Sequence, residues 1–180
     1  LLVQTGDRVA YEELCQRITT RFVGATNPYT ADRMAKDCLI LPRPGADLKV
    51  ASELASVAVA GGQKDDAAKC TVALAEYRQG HWDRAIDWAM KAAENRTPSS
   101  RAEAYAILAM AQQRSQQTQA ARASLKKCTE IVQTQLANPE SGDLGGDWRG
   151  WIYAHALQSE AKRMIDGEPS SVARPANLPP

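Results

Sequence analysis

AEYRQGHWDRAIDWAMKA (75–92) and MAQQRSQQTQAARASLKK (110–127) superimpose as helix, short turn and second helix, each with an alanine five residues past the turn and with Gly80 opposite Gln116. VQTGDRVAYEELCQR (3–17) repeats the form around Gly6, and a weaker copy centres on Gly45, so the turns recur at intervals of 39, 35 and 36 residues. Near-constant spacing of that length is the mark of stacked helical hairpins, in which no unit buries its apolar face alone and each leans on the next. A chain under this constraint folds as an all-α array.

Local signals agree. Alanine, leucine, glutamine, lysine and arginine dominate, aromatics make up only 6%, and the β-branched residues never gather into alternating strand-like runs. Asn27-Pro28 reads as an N-cap followed by proline at the first helical position, Ser100-Arg101-Ala102-Glu103 has the form of a capping box, and Gly167 suits a C-terminal cap. The breaks leave about eight helices of roughly 13–20 residues, joined by connections short enough to make neighbours antiparallel. Each helix owns one apolar stripe: Trp82, Ala85, Ile86, Ala89 and Ala92 in one, Trp151, Ala154, Leu157, Ala161 and Met164 in another.

A chain of 180 residues can bury an ordinary core without staples. We expect one domain over residues 1–167 and a proline-rich, disordered tail over 168–180. With 22 basic and 21 acidic side chains the net charge is +1, which provides no footprint for nucleic acid or a membrane surface. Cys15, Cys38, Cys70 and Cys128 are too far apart for a metal or redox motif and read as small buried hydrophobes, which points to a reducing, cytoplasmic compartment. No apolar run reaches the roughly 18 residues of a membrane span, and no signal-peptide pattern opens the chain. Beginning at Leu1 within what reads as a helix end, the sequence is expected to be a piece of a longer protein.

PESGDLGGDWRGW (139–151) is the one stretch that invites a chemical reading. Its SGDLGGD echoes the surroundings of a chymotrypsin-like serine, but Leu144 stands at the nucleophile position and no His/Asp set accompanies it. Glu140, Asp143 and Asp147 offer oxygens to a calcium ion, without the ligand order of an EF-hand. A corner explains more residues: Asn138-Pro139 stop one helix, the glycines turn the chain, and Asp147 caps a final helix. His81 and His155 lack partners at metal spacing, and pairs such as Glu12-Glu13 read as solvated. Neither a metal nor a cofactor is expected.

AKCTVALAEYRQGHWDRAIDWAMKAAENRTP (68–98) resembles the tetratricopeptide repeat: Ala73 stands at the small position of the first helix, Gly80 in the turn, Ala85 and Ala92 at the small positions of the second, and Pro98 near the end. In the next copy Tyr105, Leu108, Ala109 and Ala121 fit the same pattern, while Lys69, Gln116, Tyr11 and Val50 depart from it. The order of segments from LLVQTGDRVAYEELCQRI through ADRMAKDCLILP and AYAILAMAQQRSQ to NPESGDLGGDWRGW also looks like the repeat region at the C-terminal end of large multidomain bacterial serine/threonine protein kinases. No glycine-rich nucleotide loop, HRD or DFG occurs, so this piece carries no kinase chemistry of its own.

The resemblance implies a TPR-like α-α superhelix with a C-terminal capping helix, whose first helices line a concave groove for a peptide or helix of a protein partner. The groove positions are Cys70, Leu74, Tyr77 and Arg78, then Glu103, Ala106, Met110, Gln113 and Arg114. Cys70, Leu74, Ala106 and Met110 occupy positions where chaperone-tail receptors carry lysine and asparagine, so that carboxylate clamp is not expected. Tyr77, Arg78, Met110, Gln113 and Arg114 are left as the candidate partner-binding residues. The expected function is a non-catalytic interaction or scaffolding module, with packing on its own upstream domains as the alternative. A stand-alone enzyme would need converging titratable groups that the sequence does not advertise, and helical-repeat RNA binding would need a basic groove.

Overall fold

The computed structural model describes residues 2–43, 46, 48–61, 66–136 and 145–167, residue 66 by its backbone alone. Gly45, residues 137–144, which include Glu140 and Asp143 of the glycine-rich stretch, and the expected tail over 168–180 lie outside them. Among the described residues the regular structure is entirely helical, in nine helices rather than about eight: α1 (Leu2–Thr5), α2 (Arg8–Arg21), α3 (Pro28–Leu39), α4 (Lys49–Ala60), α5 (Asp66–Arg78), α6 (Trp82–Ala92), α7 (Pro98–Arg114), α8 (Thr118–Gln135) and α9 (Trp148–Ile165). The additional one is the single turn α1.

The aligned turn positions share a conformation. Gly6 and Gly80 have φ of +71° and +83°, and Gln116, opposite Gly80 in the alignment, is the one described non-glycine residue with positive φ, at +62°. Three hairpins thus reverse direction through the same left-handed residue, which glycine adopts freely and an L side chain does not. At the N-termini, Asn27 accepts the Thr30 amide on its side chain at 2.9 Å, with Pro28 at the first helical position. Helix α7 starts earlier than its capping-box pattern indicates: Thr97 is the N-cap and Pro98 the first residue, which leaves Ser100 and Glu103 inside the helix.

Helices α3, α5 and α7 each pack on their successor and on the next odd-numbered helix: α3 on α4 and α5, α5 on α6 and α7, α7 on α8 and α9. Helix α2 packs on α3, and α1 touches both α2 and α9. Alanine makes the close approach possible, with Ala31, Ala35, Ala73, Ala85, Ala89, Ala102, Ala109 and Ala154 all fully buried. Between them Leu39, Leu54, Leu74, Ile107, Met110 and Leu157 fill the remaining volume. Helix α7 is buried on nearly every side from Ser99 to Ala111, as expected of the central member of a stack.

Candidate protein-interaction groove

Helices α3, α5 and α7 share one face, and its character is polar where a core would be apolar. Lys36 in α3 and Glu103 in α7 meet at 3.1 Å with side chains only 6% and 3% exposed. Burial works against a charged Lys36, but Glu103 and Asp32 outweigh it and hold its ammonium above the usual lysine range. Burial likewise pushes the Glu103 carboxyl up, with Lys36 opposing. Beside this pair the Thr71 hydroxyl of α5 donates to Asp32 at 2.5 Å.

Helix α9 lies against this face and bonds to all three helices in turn. At its start Asp147 accepts the Ser99 hydroxyl of α7. The helix comes close enough there that a Cβ on Gly150 would stand 2.5 Å from Ser99 Oγ and 2.6 Å from an Asp147 carboxylate oxygen, so a larger residue displaces those two side-chain ends. One turn on, the Tyr153 hydroxyl donates to Asp37 of α3 at 2.5 Å, with the Lys36 ammonium 5.5 Å from its ring centre. Burial raises both Tyr153 and Asp37 above their usual ranges, the hydrogen bond opposing the shift on Asp37. Further along, Glu160 takes both Nη groups of Arg78 in α5 at 2.5 and 2.6 Å, and the Tyr77 hydroxyl reaches the Met164 sulfur at 3.8 Å.

The residues expected to face a partner are therefore mostly committed inside the chain. Arg78 also donates from Nε to the Leu39 carbonyl at 2.8 Å and from Nη2 to that of Ile40 at 3.1 Å, supplying donors to carbonyls at the end of α3 that have none within the helix. Tyr77 is buried against Trp82, ring centres 5.5 Å apart, and burial with the nearby Glu160 charge raises its phenol. Met110 is fully buried, Gln113 is half-buried with an Oε1 that has no hydrogen-bond partner among the described residues, and Arg114 is exposed, its charge opposing the rise of the Tyr77 phenol. Tyr77, Arg78 and Arg114 wall a residual cavity of about 170 Å³ together with Cys38, Arg43 and Glu160. Met110 and Gln113 are not part of it.

Asp37, Tyr153 and Glu160 carry the face and were not singled out in the sequence. Glu103 was placed in the groove without its partner Lys36. The signal available was a lone charge in an apolar helical stretch: Glu103 is the only charged residue between Ala102 and Gln113. Asp147 stands at the N-cap of α9, but its carboxylate serves Ser99 rather than the helix amides. Glu12, read as solvated, keeps 44% of its side chain exposed and also pairs with Arg43.

Chemically this is an adhesive arrangement: acids, bases and hydroxyls satisfy one another across helix interfaces. Among the described residues no three His, Cys, Asp or Glu side chains are gathered as for a metal ion, and no helix is long and apolar enough to cross a membrane. No family model, curated protein or solved structure matches this chain.

Proposed function

We propose that the chain is a tetratricopeptide-like superhelical array that works without catalysis as a protein-interaction module, its inner face made to hold a helix. The observation that carries the reading is α9 itself: α3, α5 and α7 each bond to it through Asp37, Arg78 and Ser99. A face that grips one amphipathic helix by an apolar stripe with polar ties at intervals has the means to grip another. The shared left-handed turns at Gly6, Gly80 and Gln116 support the repeat assignment. The resemblance of the segment order to bacterial serine/threonine kinases supports placing the module at the C-terminal end of a signalling protein of that kind.

A second reading, packing within its own chain, is favoured by the same occupancy, because the face is filled without any partner. In the parent protein an incoming helix then competes with α9. The test uses the full chain loosened by Tyr153→Phe with Glu160→Gln, titrated with a fluorescein-labelled peptide of sequence 148–165. Saturable binding that Arg78→Gln abolishes is the expected result. A loosened chain that ignores the peptide would refute helix capture by this face. Light scattering, and a pull-down with and without the upstream region, separate partner binding from packing on the parent's own domains.

A further inference from the structure

The last residues of α3, α5 and α7, which are Leu39, Arg78 and Arg114, meet at the cavity of about 170 Å³. Among the described residues three arginines line it, Arg43, Arg78 and Arg114, and Glu160 is its one acidic residue. Leu41, Pro42, Leu48 and Trp82 supply apolar walls.

Two of the arginines are bonded, one of them incompletely. Arg78 gives both Nη groups to Glu160, and Nε and Nη2 to the Leu39 and Ile40 carbonyls. Arg43, with a side chain 9% exposed, gives Nε and Nη2 to Glu12 at 2.7 and 2.6 Å. That leaves Arg43 Nη1, which is buried and has no hydrogen-bond partner among the described residues. A guanidinium is all donor, so a buried nitrogen of this kind is costly until an acceptor reaches it.

Arg114 is exposed and makes no ion pair among the described residues. An arginine at the end of a helix ordinarily serves the last carbonyls. Turn amides do so here: those of Gln116 and Gln117 bond to the Gln113 and Gln112 carbonyls at 3.2 and 2.8 Å, and at the end of α5 those of Gly80 and His81 bond to Tyr77 and Glu76 at 3.1 and 3.0 Å. With Glu12 on Arg43 and Glu160 on Arg78, the arginines of the cavity outnumber their carboxylates by one. A single negative charge balances it.

We propose that this cavity binds a small monocarboxylate with a short apolar body. The carboxylate accepts from Arg43 Nη1 and from Arg114, planar acid against planar guanidinium. The body covers the apolar walls at Leu41, Leu48 and Trp82. Since one water occupies about 30 Å³ of liquid, the volume suits about five or six non-hydrogen atoms, the size of isobutyrate. Inorganic phosphate would leave the apolar walls uncovered, and a polycarboxylate would bring more charge than the arginines leave open. The site exists with α9 in place and does not rest on capture of a partner helix by the inner face.

The test titrates sodium isobutyrate into the isotope-labelled full chain at constant ionic strength, with sodium chloride as the balancing salt, and follows the arginine Nε–H and tryptophan indole N–H resonances by NMR. Expected are saturable shifts of Arg43 and Trp82, weaker binding of acetate, and no shift with the neutral isobutyramide. In Arg114→Gln the dissociation constant should rise about tenfold, the loss of one charge-assisted hydrogen bond. Shifts that do not saturate, that isobutyramide reproduces or that inorganic phosphate matches at the same concentration overturn the proposal, as does a folded Arg114→Gln chain that binds like the wild type. N-acetylglutamate amide binding more tightly than isobutyrate overturns the free acid in favour of a glutamate side chain of a protein. The comparisons among ligands use the unaltered chain, so they decide the matter even where the variant fails to fold.

Discussion

Arg78 and Glu160, 82 residues apart in the chain, meet as a two-point ion pair with N–O distances of 2.5 and 2.6 Å. Since Arg78 also holds the Leu39 and Ile40 carbonyls, one side chain joins the end of α3, α5 and α9. Both side chains are about nine-tenths buried, at 7% and 11% exposure. Removing one partner strands the other, at a cost of about 3–5 kcal/mol for a buried pair. Urea unfolding is expected to show Glu160→Leu in that range, Arg78→Met at least as costly because two carbonyls lose their donor, and the double variant less destabilised than the sum of the two. A Glu160→Leu chain as stable as the wild type would mean that the pair does not hold α9.

Gly150→Ala is expected to have the opposite sign from an ordinary helix substitution. Replacing a helical glycine by alanine usually stabilises by about 1 kcal/mol. Here the new methyl would meet Ser99 Oγ at 2.5 Å, so the Ser99 and Asp147 side chains must move apart and give up their hydrogen bond, a loss of about 1–3 kcal/mol for a buried polar pair. Thermal unfolding should show a lower Tm, partly restored when Ser99→Ala is added. A higher Tm in Gly150→Ala would show that α9 is not pressed against α7.

What could be read from the sequence was what is local. The Asn27-Pro28 cap, the turn at Gly80 with its counterpart at Gln116, and the alanine stripe of α6 each follow from residues within a few positions of one another. Polar pairing was not legible, because a charge on a helix faces solvent by default and its partner sits in another hairpin. Glu103 looked like the reciprocal half of a capping box with Ser100, yet it binds Lys36 while Thr97 starts the helix. Glu12 is solvated, as its place on the helix indicates, but its partner Arg43 was not legible. The repeat indicated which residues face inward, Tyr77 and Arg78 among them, but no periodicity states that the chain's own last helix fills the space they face.

Gln116→Gly should stabilise the chain. Gln116 is exposed and holds φ at +62°, a conformation that costs a side-chain-bearing residue about 1–2 kcal/mol. Glycine removes that strain and gives back part of it through the greater freedom of the unfolded chain, leaving a gain of about 0.5–1 kcal/mol. Urea unfolding monitored by tryptophan fluorescence measures it. The same exchange in reverse, Gly80→Gln at φ +83°, should destabilise by a comparable amount, and equal stability of all three chains would contradict the shared turn conformation.

His155 gives the chain a specific acid sensitivity. It stacks on Trp151 with ring centres 3.9 Å apart, and burial foremost, with Lys162 nearby, depresses its imidazole below the usual histidine range. The unfolded chain therefore binds this proton at a pH where the folded chain does not, so the stability His155 contributes is present above about pH 6.5 and lost as pH falls through the depressed folded value. His155→Phe retains an aromatic ring beside Trp151 and removes the titration. Between about pH 7.5 and about pH 5, the wild-type Tm should fall relative to that of the variant, and above that window the two curves should run parallel. Effects of the raised Asp37 and Glu103 carboxyls are common to both chains and cancel in the difference. A difference that stays flat down to about pH 5 would show that the imidazole takes up its proton as readily in the folded chain as in the unfolded one.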